Sequence, residues 1–444
     1  MRSSRAGSRK WTPARYRALL RRRGPQSVRF RTRLAILLGA VVIGLAATVF
    51  ALSADAASAM FERYAARYPY APLITTPLIF AALVWITRRY VPLARGSGIP
   101  QVIAAQQDPE AATKSLVSIR TVAGKALLTL VAVLGGASVG REGPTVQIAA
   151  AVMGLSHRVL RVPLRGAVII AGGAAGVAAA FNTPLAGLLF AIEELASAYE
   201  QRVTLLVIAA IVIAGMVAQS VQGDYVYFGL IGAHMGLASA LAVVPIAGLV
   251  GGLAGGLFSR LMLALATGPH PFTRWSKSRP ILFAGICGLV VGGLGCATGL
   301  TWGTGYGAAR AMITGVDAPL WFGPAKFVST LATAVAGLPG GIFAPSLSVG
   351  AGIGNILRSI FPDSSSSAVV ILGMVGYFAG VVRAPLTAVI ILSETTASRG
   401  LMLPMFATAF LADGVSALVC PEKLYHGLSK TFAMRQGDKT SEIA

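Results

Sequence analysis

The sequence predicts an all-α membrane protein that crosses the bilayer several times. The 444 residues are 55% hydrophobic and only 12% charged, whereas a soluble domain carries about 25% charged residues. Long apolar runs recur along the chain, and several approach the roughly 20 residues that one helix needs to cross a bilayer. Glycine and proline clusters interrupt some of these runs. Because a span must satisfy its backbone hydrogen bonds internally, the runs predict helices.

The apolar runs predict the spans in chain order. They cover residues 34–52, 73–86, 205–218, 243–266 and 281–300. Within 248–256, glycines recur at small-xxx-small spacing (GLVGGLAGG), which predicts close packing of that helix against a neighbour. The apolar runs 205–217 and 401–418 are candidates for a dimer face, and core packing explains them equally well.

The net charge of +22 is unevenly distributed. Every acidic residue lies at or after Asp55, and the first 33 residues are rich in arginine and lysine. A nucleic-acid-binding arm would look similar, but a basic segment joined directly to a span is better explained by the positive-inside rule. We therefore expect a cytoplasmic N-terminus at the plasma (inner) membrane, contact with anionic lipid and no nucleic-acid partner. A cleaved signal peptide is the weaker alternative, because the basic region is too long.

The cysteines and histidines predict neither a metal site nor a cofactor. The three cysteines lack CxxC spacing, and the four histidines are scattered without an HExxH pattern. We interpret each histidine as an interfacial or packing residue. The residues concerned are Cys287, Cys296, Cys420, His157, His234, His270 and His426.

Three glycine clusters break apolar segments of the chain. They are GSGIP (96–100), GREGP (140–144) and GLPGGIFAPSLSVG (337–350). Glycine and proline there would end one helix and start another inside the membrane. Two clusters lie in the first half of the chain and one in the second, and such paired interruptions predict an inverted-repeat transporter with a site near the midplane.

A helix that begins inside the membrane favours an anion at its first residues. Its first N–H groups have no intrahelical partner, and its dipole places partial positive charge there. Ser97 adds a hydroxyl donor in GSGIP, and the amides of Ile342 and Phe343 would be free in GGIFAP. Ser97 is also a candidate helix cap, which does not exclude anion binding.

Arg141 and Glu142 place two ionisable side chains in an apolar part of the chain. Such residues are costly at membrane depth and usually mark the path of an ion or a proton. A structural ion pair is the alternative for Glu142, and the flanking helix breakers make it the weaker one. For Arg141, a contribution to the local field and a structural ion pair are equally good explanations.

The three clusters, in this order and at these separations, resemble the anion-binding signatures of the CLC family of chloride channels and chloride/proton antiporters. Similar segments flank them over nearly the whole chain. These are Lys125 in GKALLTL, 173–195 (GAAGVAAAFNTPLAGLLFAIEEL), 303–309 (GTGYGAA), 383–396 (RAPLTAVIILSETT) and 423–427 (KLYHG). The resemblance implies the CLC fold, which has two inverted-topology halves with tilted and broken helices.

The resemblance also implies roles for individual residues. Ser97, Ile342, Phe343 and Tyr425 would bind the anion, and Glu142 would be the gate whose carboxylate competes with it. The residues that would shape the binding loops are Gly96, Gly98, Gly140, Arg141, Gly143 and Gly341.

Two acids in AIEEL complete the implied set. Glu194 would transfer protons on the inner side, and Glu193 would either assist it or only pack and hydrogen-bond. A structural ion pair for Glu194 and an interfacial anchor for Tyr425 are the alternatives. Field shaping and structural pairing are equally good explanations for Lys125 and Lys326, and Glu394 is expected to be structural.

The implied function is that of a secondary active transporter, not an enzyme. It would exchange chloride for protons as a homodimer with one pathway in each subunit. A passive chloride channel of the same fold is the alternative, and other halides or nitrate are alternative substrates. An intramembrane serine protease with Ser138 as nucleophile is a remote reading, because it needs a histidine within hydrogen-bond reach.

The expected organisation has four parts. A basic arm (1–33) precedes transmembrane repeats at 34–222 and 235–430, and a short tail (431–444) follows without CBS domains. One departure from the family pattern is QVIAAQ (101–106), which lacks the acids that many family antiporters carry there.

Overall fold

The computed structural model describes residues 25–195, 205–223 and 226–441, and these residues form nineteen α-helices without a strand. Residues 1–24 of the predicted basic arm and the last three residues of the predicted tail lie outside this description. The first helix begins at Pro25, so residues 25–33 of that arm are helical. The all-α prediction is confirmed.

The first half of the chain contains nine helices. They are α1 (Pro25–Arg67), α2 (Pro72–Tyr90), α3 (Ile99–Ala105), α4 (Pro109–Ala112), α5 (Ile119–Leu134), α6 (Glu142–Val159), α7 (Gly166–Phe181), α8 (Pro184–Phe190) and α9 (Leu205–Gln222). A π-type turn, Ala191–Leu195, follows α8. Several helices start with proline, which suits the first turn because it has no N–H to leave unpaired.

The second half contains ten helices. They are α10 (Leu237–Thr267), α11 (Pro271–Ser278), α12 (Pro280–Thr298), α13 (Tyr306–Ile313), α14 (Phe322–Val335), α15 (Phe343–Ile360), α16 (Ser366–Val382), α17 (Pro385–Thr396), α18 (Met402–Val419) and α19 (Leu424–Ser441).

Several helices of the second half correspond to helices of the first. The second and third long helices of each half illustrate this: α2 and α12 have 19 residues each, and α6 and α15 have 18 each. Gly140 and Gly341, at equivalent positions, form an antiparallel bridge where the halves meet. Reciprocal pairing of equivalent residues is what an approximate two-fold axis requires, so the described residues support the predicted inverted repeat.

Five described helices are long and apolar enough to cross a membrane. They are α1, α9, α10, α12 and α18 with the short turn before it. The first predicted span, 34–52, is part of a 43-residue helix. The segment after it contains neither glycine nor proline and many alanines, so nothing in the sequence ends the helix at the edge of the apolar run.

The centre of the protein is formed by α7 and α16, whose residues are almost all buried. Glycines let α10 approach α16 closely. A methyl group on Gly251 would lie 2.8 Å from the Cα of Gly376, and one on Gly255 would lie 2.8 Å from the Cα of Gly380. Backbones this close leave no room for a Cβ, which confirms the packing predicted from the spacing in 248–256.

Candidate functional site: a buried junction of three helix breaks

The three glycine clusters meet at one place through backbone hydrogen bonds. Gly140 and Gly341 exchange two such bonds, of 2.7 Å and 2.8 Å between nitrogen and oxygen. The N–H of Gly340 donates to the carbonyl of Gly96, and the N–H of Gly96 donates to the carbonyl of Leu338, each at 3.2 Å. Segments far apart in the chain are thus fixed against one another.

Glycine is required at this junction because the loops touch. A Cβ on Gly143 would overlap the hydroxyl of Ser97 and lie 2.8 Å from the Ser97 carbonyl oxygen and 3.1 Å from the Cα of Gly341. Gly98 has φ of 113°, in the left-handed region where a side chain is strained. These positions fix Ser97 against the start of α6.

Helices α6 and α15 both begin at the junction. Arg141 precedes the first residue of α6 and Ile342 precedes that of α15, and neither helix start has a side-chain cap. The first N–H groups of these 18-residue helices therefore lack intrahelical acceptors. Their partial positive charge makes the junction suited to an anion.

The side chains predicted to act on the anion come together at these helix starts. Ser97, Glu142 and Tyr425 are buried, and their hydroxyl and carboxylate oxygens make no hydrogen bond to any described residue. Ser97 and Tyr425 line the same cavity, and the charge of Glu142 acts on the Tyr425 phenol. Buried polar atoms are almost always paired in proteins, so this cluster marks a place built for a polar ligand.

An aromatic wall backs the junction on its apolar side. The ring of Phe343 lies 5.9 Å from that of Tyr425, 5.6 Å from that of Phe190 and 5.0 Å from that of Phe378, measured between centroids. Tyr425 is fully buried, so it is not an interfacial anchor. Phe190 and Phe378 carry no signal in the sequence, because they stand among many apolar residues.

A cavity of ≈ 380 Å³ leads to this junction and is lined by Ser97 and Tyr425. Three basic residues, Arg88, Arg95 and Lys277, also line it. Positive charge on the walls of a cleft raises the local concentration of anions. No sequence pattern singles out these residues, because Lys277 lies far along the chain from Arg88 and Arg95.

Arg141 is buried and is not among the residues that line the cavity. Its Nη1 lies 2.6 Å from Oδ2 of Asp55 and donates to the carbonyl of Ala51 at 2.7 Å. Both partners belong to α1, so the guanidinium ties the start of α6 to the first helix. Of the two explanations, the structure shows the ion pair.

Lys125 and Lys326 occupy equivalent positions on α5 and α14 and are both fully buried. Lys125 Nζ donates to the carbonyl of Gly96 at 2.7 Å, and Lys326 Nζ donates to that of Gly303 at 2.7 Å. Neither forms an ion pair with a described acid. Each lysine instead holds the loop that precedes a short helix, and the Lys125 loop is the one that carries Ser97.

Glu194 lies in the π-type turn after α8 and is fully buried. Its carboxylate oxygens make no hydrogen bond within the described residues, but Nδ1 of His426 lies 3.3 Å from Oε1 and Nζ of Lys423 lies 3.8 Å from Oε2. Tyr425 is an electrostatic neighbour of Glu194 as well as of Glu142. His426, which the sequence suggests as an interfacial or packing residue, is partly exposed and lies beside this carboxylate.

Glu193 and Glu394 hold the two halves together reciprocally. The carboxylate of Glu193 accepts the N–H groups of Leu386 at 2.9 Å and Thr387 at 2.6 Å, at the start of α17. That of Glu394 accepts the N–H groups of Leu185 at 3.3 Å and Ala186 at 2.9 Å, at the start of α8. Glu193 is therefore packed and hydrogen-bonded, which is one of the two roles predicted for it. Glu394 has the structural position that was expected.

Ser138 has the environment of a structural hydroxyl. Its Oγ lies 2.9 Å from Oγ1 of Thr330, and its N–H donates to Oγ1 of Thr333. His157, the nearest histidine in sequence, contacts the carbonyl of Met153 on its own helix. No described histidine pairs with this serine, so the protease reading has no geometric support.

Comparison with known proteins gives one family and a consistent fold. The family described as voltage gated chloride channel matches residues 78–417. The structure of a slow cyanobacterial Cl−/H+ antiporter is similar, with a TM-score of 0.78 and 23% identity over 92% of this chain and 99% of that chain.

Two further solved structures are similar to the chain. A eukaryotic CLC transporter gives a TM-score of 0.71 and 21% identity over 90% of this chain and 74% of that chain. A CLC-type fluoride/proton antiporter gives a TM-score of 0.75 and 21% identity over 95% of this chain and 99% of that chain. At these identities the likeness establishes the fold.

Proposed function

Because the chain belongs to the voltage-gated chloride channel (CLC) family, we propose that it is a secondary active transporter that exchanges chloride for protons. The junction of the three helix breaks carries this proposal. It brings the unpaired hydroxyls of Ser97 and Tyr425, the carboxylate of Glu142 and two uncapped helix starts to one buried place. Partial charges and hydroxyl donors bind a desolvated anion without the tight grip of a full positive charge.

Glu142 is the proposed gate. Its carboxylate lies among the donors that would bind chloride, so the ionised side chain competes with the anion for the same positive field. A proton on the carboxylate removes its charge and with it the competition. Proton uptake and chloride binding are then linked at one position.

Glu194 is the proposed inner proton-transfer residue. It is a second fully buried carboxyl, reached past different side chains from those that line the basic cavity. Separate routes let a proton reach Glu142 without crossing the chloride path. A passive channel needs no such second acid, so Glu194 favours the antiporter over the channel alternative.

Chloride is the proposed substrate among the anions considered. Ser97 and the GREGP segment are retained in this chain. The resemblance to the CLC family implies that other residues at these positions would indicate selectivity for nitrate or fluoride. The likeness to a fluoride/proton antiporter concerns the fold alone.

We further propose the arrangement of the protein in its membrane. The basic N-terminal arm, residues 1–33, faces the cytoplasm of the plasma (inner) membrane and contacts anionic lipid. The repeats span 34–222 and 235–430. Exposed leucines on α9 and α18, including Leu205 (81% exposed) and Leu418 (85% exposed), suit a homodimer face.

Purified protein in liposomes tests the proposal. A chloride gradient is imposed without a pH gradient, and external pH and chloride are followed together. We expect chloride flow to drive protons uphill. We expect Glu194→Gln to abolish proton movement while chloride flux stays within about threefold of the wild type. The exposed acid Glu110 provides the control, because Glu110→Gln should change neither flux. Chloride movement without any proton response in the wild type would establish the channel instead.

A further inference from the structure

The approach to Glu194 from solvent runs past two side chains. His426 and Lys423 lie near the start of α19, and their side chains are 31% and 35% exposed, while that of Glu194 is fully buried. Lys423 also donates to the backbone carbonyl of Glu193 at 3.3 Å. These two side chains therefore connect a buried carboxyl with the water outside.

Histidine and lysine differ in what they can do at this position. Imidazole gains and loses a proton near neutral pH and has two nitrogens, so it can take a proton at one and release one at the other. A lysine ammonium keeps its proton at neutral pH and acts as a fixed charge. His426 Nδ1 is 3.3 Å from Glu194 Oε1, and a small rotation of the ring would bring the pair into hydrogen-bond geometry.

Few other ionisable groups face the ring. Glu422 and Lys430 lie on the same segment and pair with each other at 2.6 Å. Three helices pack against α19: α3 has no ionisable side chain, α10 has Arg260 and α16 has the buried Tyr377. Among the described residues, Glu194 is thus the charged group in contact with the imidazole of His426, and Lys423 and the buried Tyr425 act on the same carboxylate.

We propose that His426 carries protons between the cytoplasmic solvent and Glu194. This inference rests on the proposed function. A hydronium ion of the solvent protonates Nε2 of the ring and leaves as water, the proton on Nδ1 passes to Oε1 of Glu194, and a neutral carboxylic acid and a neutral imidazole result. The ring then releases the proton on Nε2 to water and takes one from water at Nδ1, which restores the starting tautomer with no net change. One proton leaves the solvent and one arrives at Glu194, and the reverse steps release it.

A purely electrostatic role is the competing explanation. His426 would then serve, like Lys423, as a partial counter-charge that keeps Glu194 in place. The two roles differ in whether a dissolved buffer can replace the His426 side chain. A removed counter-charge is not restored by a dissolved buffer, whereas a removed proton carrier is replaced by a small molecule of the same chemistry.

The experiment measures proton and chloride flux in the same liposomes for His426→Asn and His426→Ala. Asparagine keeps a polar nitrogen near the position of Nδ1 but cannot carry a proton. We expect proton flux to fall by about 10-fold or more in both variants. This is smaller than a full general acid–base effect, because water still reaches the region. Chloride flux should change by less than about twofold.

Chemical rescue and two controls complete the experiment. Imidazole-4-acetate, a zwitterion that crosses bilayers slowly, should restore proton flux in His426→Ala and leave the wild type unchanged, relative to phosphate at the same pH. Lys423→Gln removes the positive charge beside the Glu194 carboxylate, and imidazole-4-acetate should not restore proton flux in this variant. His270→Asn replaces an exposed histidine at the start of α11 by another capping residue and should behave as wild type.

Each outcome decides the inference. Wild-type proton flux in both His426 variants overturns it and leaves the antiporter proposal intact. Reduced flux without rescue assigns His426 the electrostatic role and also overturns it. A wild-type protein that moves no protons overturns the antiporter proposal and this inference together.

Discussion

Replacing Gly140 by alanine should open the proposed gate. A methyl group at this position would overlap Oε2 of Glu142 and lie 3.3 Å from its carboxyl carbon, while the nearest other atom, Cδ of Pro345, would be 3.2 Å away. The backbone of Gly140 is outside the left-handed region, so alanine is compatible with its conformation. The side chain of Glu142 is the flexible partner and should move away.

The size of the effect follows from the overlap. Extra methyl groups in a packed interior usually cost about 1–3 kcal/mol. If that cost falls on the position in which Glu142 excludes the anion, the balance between closed and open gate shifts by about 5- to 150-fold. We expect faster chloride flux, a weaker dependence of that flux on pH and fewer protons moved per chloride.

A double-mutant cycle in liposomes tests this reasoning. Glu142→Ala removes the atoms that the new methyl group would meet, so Gly140→Ala should have little further effect in that background. The two changes should therefore be strongly non-additive. If Gly140→Ala leaves chloride flux and its pH dependence as in the wild type, or alters the Glu142→Ala protein by the same factor, the steric argument is wrong.

The remaining predictions concern residues that hold the two halves. Glu394→Gln and Glu193→Gln should each lower the free energy of unfolding by about 1–2 kcal/mol, because each replaces a partly exposed carboxylate that accepts backbone N–H groups. Thermal unfolding in detergent measures this, and equality with the exposed Glu62→Gln would contradict it. Lys125→Met and Lys326→Met should each cost about 1–3 kcal/mol by leaving loop carbonyls unpaired. Only the Lys125 change should also slow chloride flux several-fold in liposomes, and similar slowing by both would argue against a specific effect on the Ser97 loop.

The breaks in the helices could be predicted from the sequence. Glycine and proline act locally, since they stop or start a helix whatever surrounds them, and α6 and α15 begin within the clusters that indicated them. The signal for Glu142 was equally local, because an ionisable residue in an apolar segment is conspicuous. The length of α1 was not predicted, because the apolar run marks where lipid is preferred and not where the helix ends.

The partners of the buried charges could not be predicted in the same way. Lys125 and Lys326 stood out in the sequence, but the carbonyls that they bind belong to loops 20 to 30 residues earlier. A structural ion pair was one of two equal alternatives for Arg141, and nothing in the sequence indicated that its partner is Asp55. His426 stood next to Tyr425 in KLYHG, yet nothing in that motif indicated Glu194, which lies in the other half of the chain.

The sequence by itself determined that this is an α-helical membrane protein with broken helices, and its resemblance to the CLC family implied the fold. Composition and helix breakers are properties of single segments, so they need no knowledge of what those segments touch. The tertiary structure alone decided that the three breaks meet, that Glu193 and Glu394 bind reciprocally across the halves, and that His426 reaches a buried acid. These contacts join residues far apart in the chain, and only the packing of small-residue helices fixes which of them become neighbours.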